Sequence, residues 1–155
     1  MYNATWRFDR KYEIPIFIKV LEDYGKEDIL EVGNTMKHYV DVNYDIVDKY
    51  EKDEGIINED ICTFKTDKKY GLIISISTLE HIGLYQYGVG YSEDIEKAMD
   101  NILSLLKPNG VFIFSFSGNG YNPAIDNYMK QNNISLTTFH VKGRKHTVCF
   151  GEVRK

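Results

Sequence analysis

Four acidic residues and a glycine fall where apolar runs stop. Glu31 and Gly33 lie in Asp28-Ile29-Leu30-Glu31-Val32-Gly33, Asp48 follows Ile46-Val47, Asp60 follows Ile56-Ile57-Asn58-Glu59, and Glu80 with His81 follows the run that ends at Ile76-Ser77. Carboxylates at such positions accept hydrogen bonds from hydroxyl and amino groups of a ligand. Gly33 lets the backbone turn sharply beneath that ligand, because it has no Cβ to obstruct either the dihedral or the approach. His81 has an unperturbed pKa near ~6.5 and so suits proton transfer at neutral pH. Each residue also has a structural reading: Gly33 as a plain strand-to-helix turn, Asp48 as a solvent-facing acid, Asp60 as a helix cap, and Glu80 with His81 as a cap for the next segment.

The spacing narrows the ligand. Asp48 comes seventeen positions after Glu31, near where a nucleotide-binding domain places an acid to accept hydrogen bonds from two ribose hydroxyls. Asp60 reaches the same rim, suited to an adenine amino group, with Ile61 packing on the base. Asn34 and Thr35 put short polar groups beside the Gly33 turn, and Ser77-Thr78-Leu79-Glu80-His81 reaches the floor of the crevice. A dinucleotide site wants a glycine-rich turn against a pyrophosphate, usually GxGxxG. Gly33-Asn34-Thr35-Met36-Lys37-His38 has one glycine. S-adenosylmethionine has no pyrophosphate, and its methionine part carries an ammonium and a carboxylate. Glu31 is easier to explain with this ligand, either near the ammonium or by orienting water and loop amides.

Strand ends need strands. Asp28–Gly33, Tyr44–Asp48, Gly55–Asn58, Tyr70–Ser77 and Val111–Phe116 read as five strands, the fourth so continuously apolar that both faces must be covered. Ile14, Phe17, Ile18, Leu21 and Tyr24 recur three and four apart, which predicts a helix over Tyr12–Tyr24 starting close to Pro15 and stopping at Gly25. Asp94–Leu106 is a second amphipathic helix, and Pro123 opens a third that runs to about Asn132. Lys107-Pro108-Asn109-Gly110 reads as a turn into the fifth strand. Ser135–Val141 and His146–Val153 read as two antiparallel strands joined around Gly143. Strands alternating with helices imply an α/β fold with a mostly parallel sheet. No linker or repeat divides the chain, so residues 1–155 are expected to form one domain.

Composition excludes several partners. The chain is 43% hydrophobic and 27% charged, which suits a globular protein. Nineteen Lys and Arg against 23 Asp and Glu give a net charge of -4, with no global attraction to nucleic acid. Lys142–Lys145 reads as a solvated turn. Cys62 and Cys149 are expected to be free, buried thiols rather than a disulfide. No apolar segment marks a signal peptide or spans a membrane, so a cytoplasmic location is the default. No metal-ligand set is assigned.

The same residues carry a family resemblance. Leu30-Glu31-Val32-Gly33-Asn34 resembles the first motif of class I S-adenosylmethionine-dependent methyltransferases, Val47-Asp48 its ribose-binding acid, and Asn58-Glu59-Asp60-Ile61 its adenine-side motif. Ile74-Ser75-Ile76-Ser77-Thr78-Leu79-Glu80-His81-Ile82 is similar to the fourth-strand segment of many small-molecule members, and Leu106–Val111 to the turn into the fifth strand. The resemblance implies a Rossmann-like, mostly parallel seven-stranded sheet of order 3-2-1-4-5-7-6 with strand seven antiparallel. It also implies S-adenosyl-L-methionine as cofactor and methyl transfer to a small-molecule acceptor. Asn3-Ala4-Thr5-Trp6-Arg7 looks like the N-terminal segment of a short subgroup in which it folds over the cofactor, making Trp6 and Arg7 site candidates. On this reading Glu31, Gly33, Asn34, Asp48, Asp60, Ile61 and Ser77 hold the cofactor. His81 acts as general base with Glu80 orienting it or holding a substrate hydroxyl, and the loops Gly83–Gly90 and Gly118–Asn122 wall the acceptor pocket.

Three features depart from the family. The first motif lacks its second and third glycines, the segment from Asp48 to Ile56 is too short for a full helix, and little chain is left to cover a substrate. The last is compatible with a homo-oligomer or a protein partner. A non-catalytic cofactor-binding module and an NAD-dependent oxidoreductase are the alternatives, the second disfavoured by the glycine-poor loop. Glu51, three residues past Asp48, is expected to face water.

Overall fold

The computed structural model describes residues 9–25, 27–83, 93–117, 122–141 and 146–155. Trp6, Arg7, most of the Gly83–Gly90 loop, Gly118–Tyr121 and Lys142–Lys145 lie outside the described residues. Seven strands form one sheet: β1 (Ile29–Val32), β2 (Asp45–Val47), β3 (Ile56–Ile57), β4 (Tyr70–Ile76), β5 (Leu106–Ser117), β6 (Leu136–Val141) and β7 (His146–Arg154). Their order is β3-β2-β1-β4-β5-β7-β6, as the family resemblance implied. The β3–β2, β2–β1, β1–β4 and β4–β5 pairs are parallel, whereas β7 runs antiparallel to both β5 and β6.

The period-two alternation of strand side chains divides the core into two layers. Leu30, Val32, Ile73, Phe112, Phe114 and Phe116 point to one face, where they pack against Ile95, Ala98, Met99 and Ile102 of helix α2 (Glu93–Leu105) and Ile125 and Met129 of helix α3 (Pro123–Gln131). Ile29, Leu72, Ile74 and Ile76 point to the other, under Ile14 and Phe17 of helix α1 (Arg10–Tyr24). β4 is buried along its whole length, as its continuous apolar run required.

Three elements differ from expectation. α1 begins at Arg10, five residues before Pro15, because the amides of Tyr12 and Glu13 bond to the Asp9 carbonyl at 2.9 and 3.0 Å and nucleate the first turn. Pro15 therefore lies inside α1, where it forgoes the bond its N–H would have made to the Lys11 carbonyl. Lys107–Gly110 is a bulge inside β5 rather than a turn before it: Tyr70 pairs with Leu106 and Leu72 with Val111, so the intervening residues of β5 loop out, with Asn109 at φ 64°. The helices that would alternate with the first strands are reduced to a 3-10 turn at Met36–His38 between β1 and β2, with turns from β2 to β4. Among the described residues, α1, α2 and α3 therefore pack on the middle of the sheet, and the rim at β1–β3 is lined by loops. No helix among the described residues is long and apolar enough to cross a membrane.

Candidate functional site

The parallel strands β1, β2, β3 and β4 bring Gly33-Asn34, Asp48, Asp60 and Ser77 to one edge of the sheet, at their carboxyl ends. In open α/β sheets this is where ligands bind.

Glu31 is fully buried and works on the loop that follows it. Its Oε1 accepts the amides of Thr35 and Met36, each at 2.8 Å, and its Oε2 accepts the Tyr44 hydroxyl at 3.1 Å. Of the two roles open to it, this geometry carries out the orienting of loop amides. Burial pushes its carboxyl up to about 7 against the pull of the three donors, and burial with the Glu31 carboxylate raises Tyr44, keeping it a donor. Gly33 turns the chain at φ 89°, and a Cβ there would lie 2.1 Å from Thr78 Oγ1.

Asp48 stitches the rim together. Its Oδ2 accepts the Asn34 amide at 3.1 Å, and its Oδ1 accepts the amides of Tyr50 and Glu51 at 2.8 and 2.9 Å. A carboxylate has about four acceptor sites, so one remains for a ligand. Glu51 does not face water as expected. The Asp48 turn folds it back, so that its Oε2 accepts the Asn34 side-chain amide and lies 3.7 Å from His38 Nε2, with the side chain 23% exposed. That contact fixes Asn34 Nδ2 as donor and leaves the buried Asn34 Oδ1 without a hydrogen-bond partner among the described residues. Glu51 thereby joins the candidate site, a placement the sequence reading did not anticipate. Only the closeness of its backbone to Asp48 hinted at it.

Asp60 caps the turn after β3: its Oδ1 accepts the Cys62 amide at 2.9 Å and its Oδ2 pairs with Lys49 at 2.8 Å. Burial raises its pKa, but the Lys49 and Cys62 bonds outweigh this and hold it below its ordinary value. Ile61 is buried in the core beside α2, whose Asn101 side chain donates to the Ile61 carbonyl at 2.8 Å. Cys62 is partly buried and Cys149 buried, both free; burial pushes the Cys62 thiol up to about 12.

The floor of the crevice holds a network absent from the sequence reading. Glu13 of α1 is fully buried; its Oε1 accepts the hydroxyls of Ser77 and Ser115 at 2.7 and 2.6 Å, and its Oε2 pairs with Arg10 at 2.7 Å. Ser77 sits at φ 45°, a left-handed conformation uncommon for a residue with a Cβ. Beyond it, Glu80 Oε1 accepts the Ser117 amide at 3.1 Å, while the buried Oε2 has no partner among the described residues. Burial pushes Glu80 up to about 7. His81 is held below its ordinary value, chiefly by burial and then by the Arg10 charge, so its imidazole is neutral at pH 7. Among the described residues no cluster of His, Cys, Asp and Glu could hold a metal ion.

The raised carboxyls predict a pH dependence. Glu31 and Glu80 bind their protons more tightly folded than unfolded, where the ordinary value is 4.5. Their contribution is therefore complete below pH 4.5 and lost as pH rises through about 7, at up to ~1.4 kcal/mol per pH unit for each group. His81, shifted downward, works in the opposite direction. The clean readout is thus the difference between wild type and Glu80→Gln in urea midpoints from pH 4 to 8. The wild-type curve should fall more steeply with pH, and parallel curves would contradict the assignment of Glu80.

The strand order and the antiparallel β7 match the Rossmann-like methyltransferase fold. The chain is similar to the N-methyltransferase NodS of Bradyrhizobium japonicum in complex with S-adenosylhomocysteine, at 15% identity and a TM-score of 0.66 over 99% of this chain and 93% of that one. It is similar to the 1,6-didemethyltoxoflavin N1-methyltransferase of Burkholderia thailandensis, at 11% identity and a TM-score of 0.62 over 95% and 81% of the two chains. An S-adenosylmethionine-dependent methyltransferase of Clostridium acetobutylicum aligns at 14% identity and a TM-score of 0.61 over 96% and 93%. No protein-family profile and no curated protein matches the sequence.

Proposed function

We propose that this chain binds S-adenosyl-L-methionine at the carboxyl ends of β1–β4 and transfers its methyl group to a small-molecule acceptor. The observation that carries the reading is the buried, unpartnered Asn34 Oδ1 beside Asp48, which keeps one acceptor site, and Glu51. These are acceptor oxygens on a rim built to receive hydroxyl and amino donors, and the single-glycine loop has no cradle for a pyrophosphate. The solved neighbours of this fold include proteins in complex with S-adenosylhomocysteine, the product that such transfer leaves behind.

When bound, the cofactor supplies an activated methyl group on a good leaving group, so the protein's tasks are alignment and exclusion of water. Asp48, Glu51 and Asn34 would take the ribose hydroxyls between them, the turn at Gly33 would sit under the methionyl part, and Glu31 would keep the loop amides in place. Asp60, already paired with Lys49, is offered for the adenine side, with Ile61 behind it. Ser77 fixes the crevice floor through Glu13. His81, neutral and half-buried, is the candidate base for an acceptor that must lose a proton, with Glu80 next to it. Trp6 and Arg7 remain candidates for covering the cofactor. A cytoplasmic location and a homo-oligomeric or partner-bound state fit this reading.

Calorimetric titration with S-adenosylhomocysteine tests it. Asp48→Asn should lose roughly 1.5 to 3 kcal/mol, about ten- to hundredfold in affinity, because a charge-assisted acceptor is replaced by a neutral one. Glu51→Ala should also weaken binding by about tenfold, since it removes both an acceptor and the group that orients Asn34. Normal affinity in both variants would place the ribose elsewhere.

A further inference from the structure

The chain runs from β3 to β4 without a helix, and Asp60 stands at its first turn. Within that turn the bonds are local. The amides of Thr63 and Phe64 donate to the Asp60 carbonyl at 2.9 and 2.8 Å, and the Cys62 amide donates to Asp60 Oδ1 at 2.9 Å. Two further ties fasten the turn to α2, far away in sequence. Asn101, only 8% exposed, donates through Nδ2 to the carbonyls of Ile61 and Phe64 at 2.8 and 2.9 Å, across 40 and 37 residues. Its Oδ1 accepts Lys65 Nζ at 3.4 Å, and the Cys62 thiol donates to the Asp94 carbonyl at 3.4 Å. The side chains of Ile61 and Phe64 share a core layer with Ile95, Ala98 and Ile102. Asn101 stands beside this apolar stripe, where a Leu would also be buried but would leave both carbonyls unmatched. From the other side Lys49, two residues past β2, holds Asp60 Oδ2 at 2.8 Å. The Asp60 carboxylate is thus fixed in direction, and of its about four acceptor sites roughly two are left for a ligand.

We infer that Asn101 is a positioning residue for the cofactor's base: by clamping the Asp60–Phe64 turn to α2, it sets the selectivity for adenine. The inference rests on the S-adenosylmethionine reading of the rim and adds to it a residue that no strand end supplies. The amino group of adenine brings N–H donors to a carboxylate. Hypoxanthine brings a carbonyl oxygen to the same place, an acceptor facing an acceptor. Telling the two apart depends on geometry, because a hydrogen bond weakens steeply once distance and alignment are lost. A turn free to shift still carries its carboxylate but presents it at no fixed place, so the amino donor gains little over the oxygen. The bonds of Asn101 go to the backbone of the turn and to Lys65, so its effect on the base passes through the turn.

The test is calorimetric titration of the full chain with S-adenosylhomocysteine and with S-inosylhomocysteine, its deaminated counterpart, in wild type and Asn101→Leu. Wild type should bind the adenine compound at least about tenfold more tightly, the worth of one hydrogen bond to a charged group. In Asn101→Leu the ratio should shrink to within about threefold through loss of S-adenosylhomocysteine affinity, with S-inosylhomocysteine changed by less than about twofold. A merely structural Asn101 would instead weaken both ligands alike. Equal weakening, an unchanged ratio, or no preference in wild type would each overturn the inference. If the variant does not fold, linkage supplies a second measurement on wild type, since whatever the base gains from an ordered turn the turn gains from the base. Exchange of the Asn101 side-chain amide protons, followed by NMR, should slow by about fivefold or more on saturation with S-adenosylhomocysteine and far less with S-inosylhomocysteine. Equal slowing, or none, overturns the inference. Failure of wild type to bind either nucleoside is a distinct result, which contradicts the S-adenosylmethionine reading and the inference with it.

Discussion

Glu13→Ala should cost this protein about 3 to 5 kcal/mol of folding stability, the range for removing one partner of a buried ion pair. Glu13 has no solvent exposure, and its two oxygens together serve Arg10, Ser77 and Ser115. Truncation leaves a guanidinium that is only 17% exposed without that carboxylate, and it removes the acceptor for two hydroxyls at the ends of β4 and β5. Domains of this size have total stabilities of roughly 5 to 15 kcal/mol, so the loss is a large fraction. At about 2 to 4 °C per kcal/mol, Tm should fall by roughly 6 to 20 °C. Glu13→Gln keeps the shape and one acceptor oxygen and should lose about half as much. Ser77, held at φ 45° by its bond to Glu13, is then free to relax, so cofactor affinity should fall along with stability. A change below ~1 kcal/mol in Glu13→Ala, read by urea denaturation, would mean the network carries no weight.

The second large effect is expected at Gly33→Val. The backbone there has φ 89°, which costs a residue with a Cβ about 1 to 2 kcal/mol, and more when that carbon is branched. The new Cβ would also lie 2.1, 2.8 and 2.9 Å from Oγ1, Cγ2 and Cβ of Thr78. Rotating the threonine side chain moves the first two atoms but not the third, so the ends of β1 and β4 must separate. That moves Asn34 and the loop held by Glu31. Stability should fall by about 3 kcal/mol or more, and S-adenosylhomocysteine affinity by at least about tenfold. The milder Gly33→Ala combined with Thr78→Gly separates the two causes. The double variant should recover the steric part and keep the dihedral part, giving a coupling energy of about 1 to 2 kcal/mol. Strict additivity would show that the approach of Gly33 to Thr78 is not what the position requires.

The two predictions differ in how far sequence could have reached them. Gly33 was legible because it stands at the end of an apolar run, where a strand must turn. The placement of Asp48, Asp60 and Ser77 at strand ends is legible for the same reason, and the family resemblance implies the strand order that the sheet has. Glu13 was not legible. It lies one residue before the apolar stripe of α1, where a charged side chain ordinarily faces water, and its partners Ser77 and Ser115 are 64 and 102 residues away. No local pattern signals a contact of that span. Glu51 was misread for a different reason. Three residues past a strand usually means solvent, but Asp48 accepts the amides of Tyr50 and Glu51 and so winds the chain back over the rim. The bulge at Lys107–Gly110 shows the limit of turn chemistry. Asn-Gly marks a reversal in most settings, yet here the strand continues on both sides because Tyr70 and Leu72 of β4 pair across it.

The central claim, that the rim from β1 to β4 is a S-adenosylmethionine site, is tested most directly by calorimetry on the isolated chain with S-adenosylmethionine, S-adenosylhomocysteine and NAD in parallel. One molecule of either sulfur nucleoside should bind per chain, with NAD binding at least a hundredfold more weakly, because Gly33-Asn34-Thr35 offers no glycine-rich cradle for a pyrophosphate. Binding of NAD with neither sulfur nucleoside bound would contradict the account.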